Sequence, residues 1–169
     1  VSYERGGLGV LVARGRTSMY EGGAARAATA LARIASGARL RAALLVTRAT
    51  PLRGSGDVAG GSAPGQVRVV ADHLNVSGGS LFPAPGMVSA GWDATLTERL
   101  GSLRGVSGSS VVALVPGPLR PSPAESRALV SLGADAAVTD SVAEAMVLAS
   151  RGVAVSALTY LCLLYTSPS

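Results

Sequence analysis

Two four-residue motifs constrain this chain more than any other feature: Ser122-Pro-Ala-Glu125 and Ser141-Val-Ala-Glu144. In each, the serine can accept the backbone N–H three residues on while the glutamate reaches back to the serine N–H, the reciprocal cap that opens a helix. Pro123 suits the first helical turn, where its missing donor costs nothing. The first helix is predicted to run to Leu132 and stop at Gly133, the second to stop at Arg151 and Gly152. Short apolar runs at residues 110–115, 134–138 and 154–159 flank these helices. The order strand, helix, strand, helix, strand is that of a parallel α/β sheet.

Further strands are predicted at residues 9–13, 41–47 and 66–71, with a helix over 24–36 that lines up Ala27, Leu31, Ile34 and Ala35 and turns Arg26 and Arg33 elsewhere. The predicted fold class is therefore α/β, with three layers: a mixed, mostly parallel central sheet flanked by helices. Residues 48–64 and 77–91 are rich in Gly, Ala, Pro and Ser without a usable period, and read as loops. Neither divides the chain, so residues 1–161 form a single predicted domain.

Hydrophobic residues make up 48% of the 169, enough for a substantial core. All 15 basic residues are arginines scattered without a cluster, and aromatic residues are only 4%. A nucleic-acid surface needs a clustered basic patch with stacking rings, so no nucleic-acid partner is expected. The longest apolar runs fall short of the roughly eighteen residues of a spanning helix, so no membrane is expected either. Cys162 is the sole cysteine, which excludes an internal disulfide and fits a reducing, cytoplasmic setting. Residues 162–169, "CLLYTSPS", break with the Ala-, Gly- and Arg-rich style of the rest and resemble translated library adaptor. They are expected to be a non-native tail. The opening "VSYERGG" lacks Met and leads at once into a predicted core strand, so a truncated beginning is expected as well.

The segment "GRTSMYEG" places Arg16, Thr17, Ser18, Tyr20 and Glu21 just after the first predicted strand. Open α/β sheets bind ligands beyond their strand ends, and a guanidinium flanked by hydroxyls suits a phosphate or a carboxylate. The plain alternative is a polar loop leaving a strand. Asp72 and His73 follow the strand "QVRVVA"; an acid–base pair and a structural hydrogen bond are both open readings. "PGPLRPSPAE" is at least a strand-to-helix turn. One histidine and one cysteine provide no ligand cluster, so no metal is expected. Dinucleotide and P-loop glycine fingerprints are absent.

Taken in order, "GRTSMYEG", "PGQVRVVADHLN", "PGPLRPSPAE", "LGADAAVTDSVAE" and "RGVAVSALT" resemble the trimeric purine-nucleoside phosphorylases, over nearly the whole chain up to Thr159. The resemblance implies phosphate-dependent cleavage of the N-glycosidic bond of purine nucleosides to free base and (deoxy)ribose 1-phosphate, with inorganic phosphate as co-substrate and no cofactor. It implies a cytoplasmic homotrimer whose partners are a purine nucleoside and phosphate. Arg16, Ser18 and Ala49 fall on phosphate-binding positions; Tyr20, Arg120 and Thr139 on ribose or nucleoside positions; Glu21 and His73 are the expected catalytic residues.

The departures are specific. Ser18 stands where the family has a histidine, "TRATPL" replaces a Gly-Gly turn after Thr47, Pro121 replaces a purine-recognising glutamate, and Asp140 replaces a phosphate-contacting serine. The family's opening phosphate loop would precede Val1 and its base-binding asparagine would follow Thr159. Residues 1–159 alone are therefore expected to be inactive. A catalytically impaired binding or structural protein, and a methylthioadenosine-type phosphorylase on the same scaffold, are the alternatives.

Overall fold

The computed structural model describes residues 1–15, 17–18, 25–38, 40–52, 62–78, 91–117 and 120–162. The elements are β1 (Ser2–Arg5), β2 (Leu8–Leu11), α1 (Ala25–Ala28), α2 (Ala30–Gly37), β3 (Ala42–Pro51), β4 (Val67–Asn75), α3 (Ala94–Gly101), β5 (Val106–Leu114), α4 (Pro123–Ser131), β6 (Ala136–Val138), α5 (Val142–Ala149) and β7 (Ala154–Leu161).

The predicted mixed, mostly parallel central sheet is present, but it closes into a barrel in the order β3-β6-β5-β4-β7. The pairs β3–β7, β4–β5 and β5–β6 are parallel, as the strand–helix alternation predicts. Closure comes from strand ends. Having run beside β7 from Ala42 to Ala49, β3 pairs antiparallel with β6 at Thr50 and Pro51. The last residues of β7, Leu158 to Tyr160, pair antiparallel with β4. Two register shifts between β4 and β5 supply the bending that closure requires. One of them holds Gly108 at φ 110°, where a Cβ would stand 3.6 Å from the Arg68 guanidinium. Because β3 extends to Pro51, part of the predicted 48–64 loop is strand.

The expected first core strand is also corrected. Residues 8–11 form the second arm of a two-stranded hairpin, β1–β2, whose strands pair only with each other among the described residues. Gly6 and Gly7 both adopt positive φ, 58° and 76°, the tight turn that joins two antiparallel strands. Tyr3, Leu8, Val10 and Leu11 are exposed there.

The main core gathers Ala49, Val70, Val112, Leu114, Val138, Ala157 and Leu161 from the barrel strands with Val142 and Ala143 of α5. A second cluster packs Ala32 of α2 against α5 and Val155. A third packs Leu129 of α4 on Ala113 and Ala137. The helix α3 is absent from the sequence prediction. Its N-cap is Asp93, whose carboxylate accepts the Leu96 N–H at 2.8 Å, and none of its residues is fully buried.

Candidate functional site

The end of β6 and the start of α5 bring together residues distant in sequence. The antiparallel register of β3 on β6 carries Thr47 alongside the turn that follows β6, and the Thr47 hydroxyl donates to the Asp140 carboxylate. Thr47 is 4% exposed, and its parallel partner on β7 is Thr159. Thr159 is fully buried, and its hydroxyl has no hydrogen-bond partner among the described residues.

Next in the chain, Ser141 has φ 69° and ψ −39°, the one positive φ at a non-glycine among the described residues. Such a backbone persists only where its surroundings hold it. Here the Ser141 N–H donates to the buried Glu144 carboxylate at 2.8 Å. A cavity of about 10 Å³, roughly room for one water, is lined by Thr17, Ala28, Asp140, Ser141, Ala143 and Glu144. Thr17 of the "GRTSMYEG" segment thus lies beside the turn after β6, and Ser18 is buried at 7% exposure.

Of the other expected site residues, Arg16, Tyr20 and Glu21 lie outside the described residues. Ala49 is 1% exposed within β3, and its carbonyl accepts the Cys162 N–H at 2.9 Å. Thr139 is half-buried in the turn before Asp140, and Arg120 is exposed ahead of α4. His73 belongs to a different neighbourhood. Its Nδ1 accepts the Trp92 indole N–H at 3.1 Å, and the rings meet edge to face with centroids 6.0 Å apart. Burial lowers its pKa below the usual 6.5, against a smaller opposing effect of Asp72.

The larger cavity is elsewhere again: an open groove of about 540 Å³ between α3 and strands β4 and β5, with Val69, Trp92, Thr97, Glu98 and Ser109 on its walls. It too has hydroxyls, at Thr97 and Ser109, and a carboxylate, at Glu98, but it lies apart from Thr17, Asp140 and Ser141, which line the small one. Sequence reasoning missed Trp92 and Thr159; the only trace of the first was a lone tryptophan directly before an Asp that can cap a helix. Among the described residues no three His, Cys, Asp or Glu side chains converge to hold a metal. No helix among them is long and apolar enough to cross a membrane.

Chemically, the Asp140 carboxylate accepts the Thr47 hydroxyl and shares the small cavity with Thr17, a corner whose oxygens can hydrogen-bond a hydroxyl-bearing ligand. The carboxylate opposes an anion placed against it.

The fold defined by this closed barrel and its helices is that of the purine nucleoside phosphorylases. The solved Schistosoma mansoni enzyme in complex with inosine superposes with a TM-score of 0.77 at 20% identity, over 99% of this chain and 65% of that one. The Schistosoma enzyme in complex with guanosine gives 0.78 at 20% identity, over 99% and 68%. Isoform 2 from Schistosoma mansoni, with cytosine and ribose-1-phosphate, gives 0.77 at 22% identity, over 95% and 60%. The chain thus spans about 65% of the length of the first of these. No protein-family model and no curated protein sequence matches the chain.

Proposed function

We propose that this chain belongs to a purine-nucleoside phosphorylase: an oxygen of inorganic phosphate bonds to C1′ as the C1′–N bond breaks, and the electron pair leaves with the purine, which takes up a proton. The observation that carries the reading is the superposition over nearly the whole chain on enzymes solved with inosine and with guanosine. It is supported by the meeting of Thr17, from the arginine-bearing segment, with Asp140 and Ser141 at the start of α5.

In this proposal Arg16, Ser18 and the backbone near Ala49 hold phosphate, Tyr20, Arg120 and Thr139 hold the nucleoside, and Glu21 organises the phosphate side. Positioning and charge stabilisation do most of the work in such a displacement. His73, the other expected catalytic residue, has its Nδ1 engaged by Trp92, so in this proposal it would act through Nε2. A homotrimer in the cytoplasm completes the reading.

One observation favours a second reading, a binding protein with impaired phosphorolysis. Asp140, held by the Thr47 hydroxyl, brings a carboxylate to the corner where phosphate would enter. Assay of the whole protein to which this chain belongs with inosine and guanosine, with and without phosphate, separates the two. Phosphate-dependent release of base and a ribose 1-phosphate supports the first, and nucleoside binding without turnover supports the second. If Asp140 is the obstacle, Asp140→Ser raises phosphate-dependent turnover; if turnover stays absent, the phosphorylase reading fails.

A further inference from the structure

We infer that His73 and Trp92 form a pH-sensitive latch: a neutral imidazole on β4 accepts the indole N–H and holds the entrance of α3, and protonation releases it. The indole N–H can only donate, so Nδ1 must be bare and the ring's single proton must lie on Nε2. A second proton would land on Nδ1 and set N–H against N–H across 3.1 Å.

The ring is mostly buried, with 15% of its side chain exposed. A Cβ at Gly91 would come within 3.6 Å of His73 Cε1 and 3.9 Å of Met146 Cγ, so the backbone of Gly91 runs beside the ring and only a residue without a side chain leaves that edge uncrowded. What the latch holds is defined by the neighbouring residues. Trp92 packs against the main core and against the α2–α5 cluster. Asp93, directly after it, caps α3 with its carboxylate and ties its N–H to the Val155 carbonyl at 2.6 Å. One turn on, the Thr97 and Ser156 hydroxyls meet at 3.0 Å. The helix is therefore held to β7 by two bonds and to β4 through Trp92, so release loosens its entrance without detaching it. Trp92 also walls the open groove beside α3, whose shape follows the latch.

Among the described residues, few charged groups surround the ring. On its own strand, the Asp72 carboxylate lies 3.9 Å from Nδ1 but is 75% exposed and accepts the His73 backbone N–H. From the α3 entrance, Asp93 commits its carboxylate to Leu96 N–H. From α5, Met146 brings no charge, and Glu144 turns its carboxylate to the Ser141 N–H. Burial thus favours the neutral ring and only an exposed carboxylate opposes it. The folded-state pKa is depressed, so the latch is closed above the usual value of 6.5 and opens as pH falls below it.

The chain has one histidine and one tryptophan, which makes the test direct. In the wild-type protein, nitrogen NMR near pH 7.5 is expected to report a bare Nδ1 and a protonated Nε2. From about pH 8 to about pH 5, tryptophan emission is expected to quench and shift to the red in a single-proton step, with a midpoint below 6.5, while backbone circular dichroism holds. A proton on Nδ1 at neutral pH, a flat emission profile, or a step that coincides with global unfolding would each overturn the latch. His73→Gln keeps an oxygen acceptor without a titrating ring. It is expected to preserve the neutral-pH emission and abolish the step; persistence of the step in that variant overturns the assignment. Should that variant not fold, the wild-type tautomer decides alone.

Discussion

The helices α4 and α5 open with the same Ser-x-x-Glu motif and use it differently. At α4, Ser122 sits at φ −60° and ψ 166°, an ordinary extended cap; its N–H donates to Glu125 at 2.7 Å and its hydroxyl accepts the Glu125 N–H at 3.2 Å. The whole cap lies in solvent. At α5 the serine has φ 69°, its hydroxyl donates to the Asp140 carbonyl, and the glutamate is 6% exposed. The local motif starts a helix in both places. Only burial turns the second cap into a support for the candidate site.

The contrast is sharpest if the glutamates are removed. Glu144→Ala leaves the Ser141 N–H buried without its acceptor, and is expected to lower stability by about 3 kcal/mol in denaturant unfolding. A loss as small as that from an exposed cap would break the comparison. Next in size, Ser141→Gly relieves the positive φ and is expected to raise stability by about 1 kcal/mol, whereas Ser141→Val lowers it. If the glycine variant is destabilised instead, the serine hydroxyl outweighs the backbone strain. At α4, Ser122→Ala is expected to cost about 0.5–1 kcal/mol by the same measurement, the ordinary worth of an exposed cap.

The smallest effect concerns Glu125. Its pKa is lowered by the Ser122 backbone N–H first and the Ser122 hydroxyl second. A depressed carboxylate contributes stability above its ordinary value of 4.5 and loses it as pH falls through the folded value. A slight acid weakening of α4 should therefore appear in hydrogen exchange and vanish in Glu125→Gln.

Helices α4 and α5 and the parallel pairings were legible because their determinants are local: caps at Ser122 and Ser141, stops at Gly133 and Gly152, and strand-like runs between them. Barrel closure was not. It depends on Thr50 finding Ala137 and Tyr160 finding Val67, pairings that no local pattern encodes. The Gly6-Gly7 turn would have disclosed the hairpin, but the run after it reads as a core strand when taken alone. The α3 helix has a cap at Asp93 but no fully buried residue, so its periodic stripe is weak. At the candidate site, Ser18 and Asp140 could be named from the sequence, whereas the convergence of Thr17, Thr47 and Glu144 around Asp140 required the fold.

The pairing of β3 with β7 has a consequence for how the molecule comes into being. Each residue from Ala42 to Ala49 waits for a partner between Ala154 and Leu161, near the other end of the described chain. Helical contacts such as those of α2 with α5 cannot substitute, because they too reach across the sequence. Folding is therefore governed by distant encounters, slow and late, and during synthesis β3 remains an unpaired apolar strand until almost everything after it has been made.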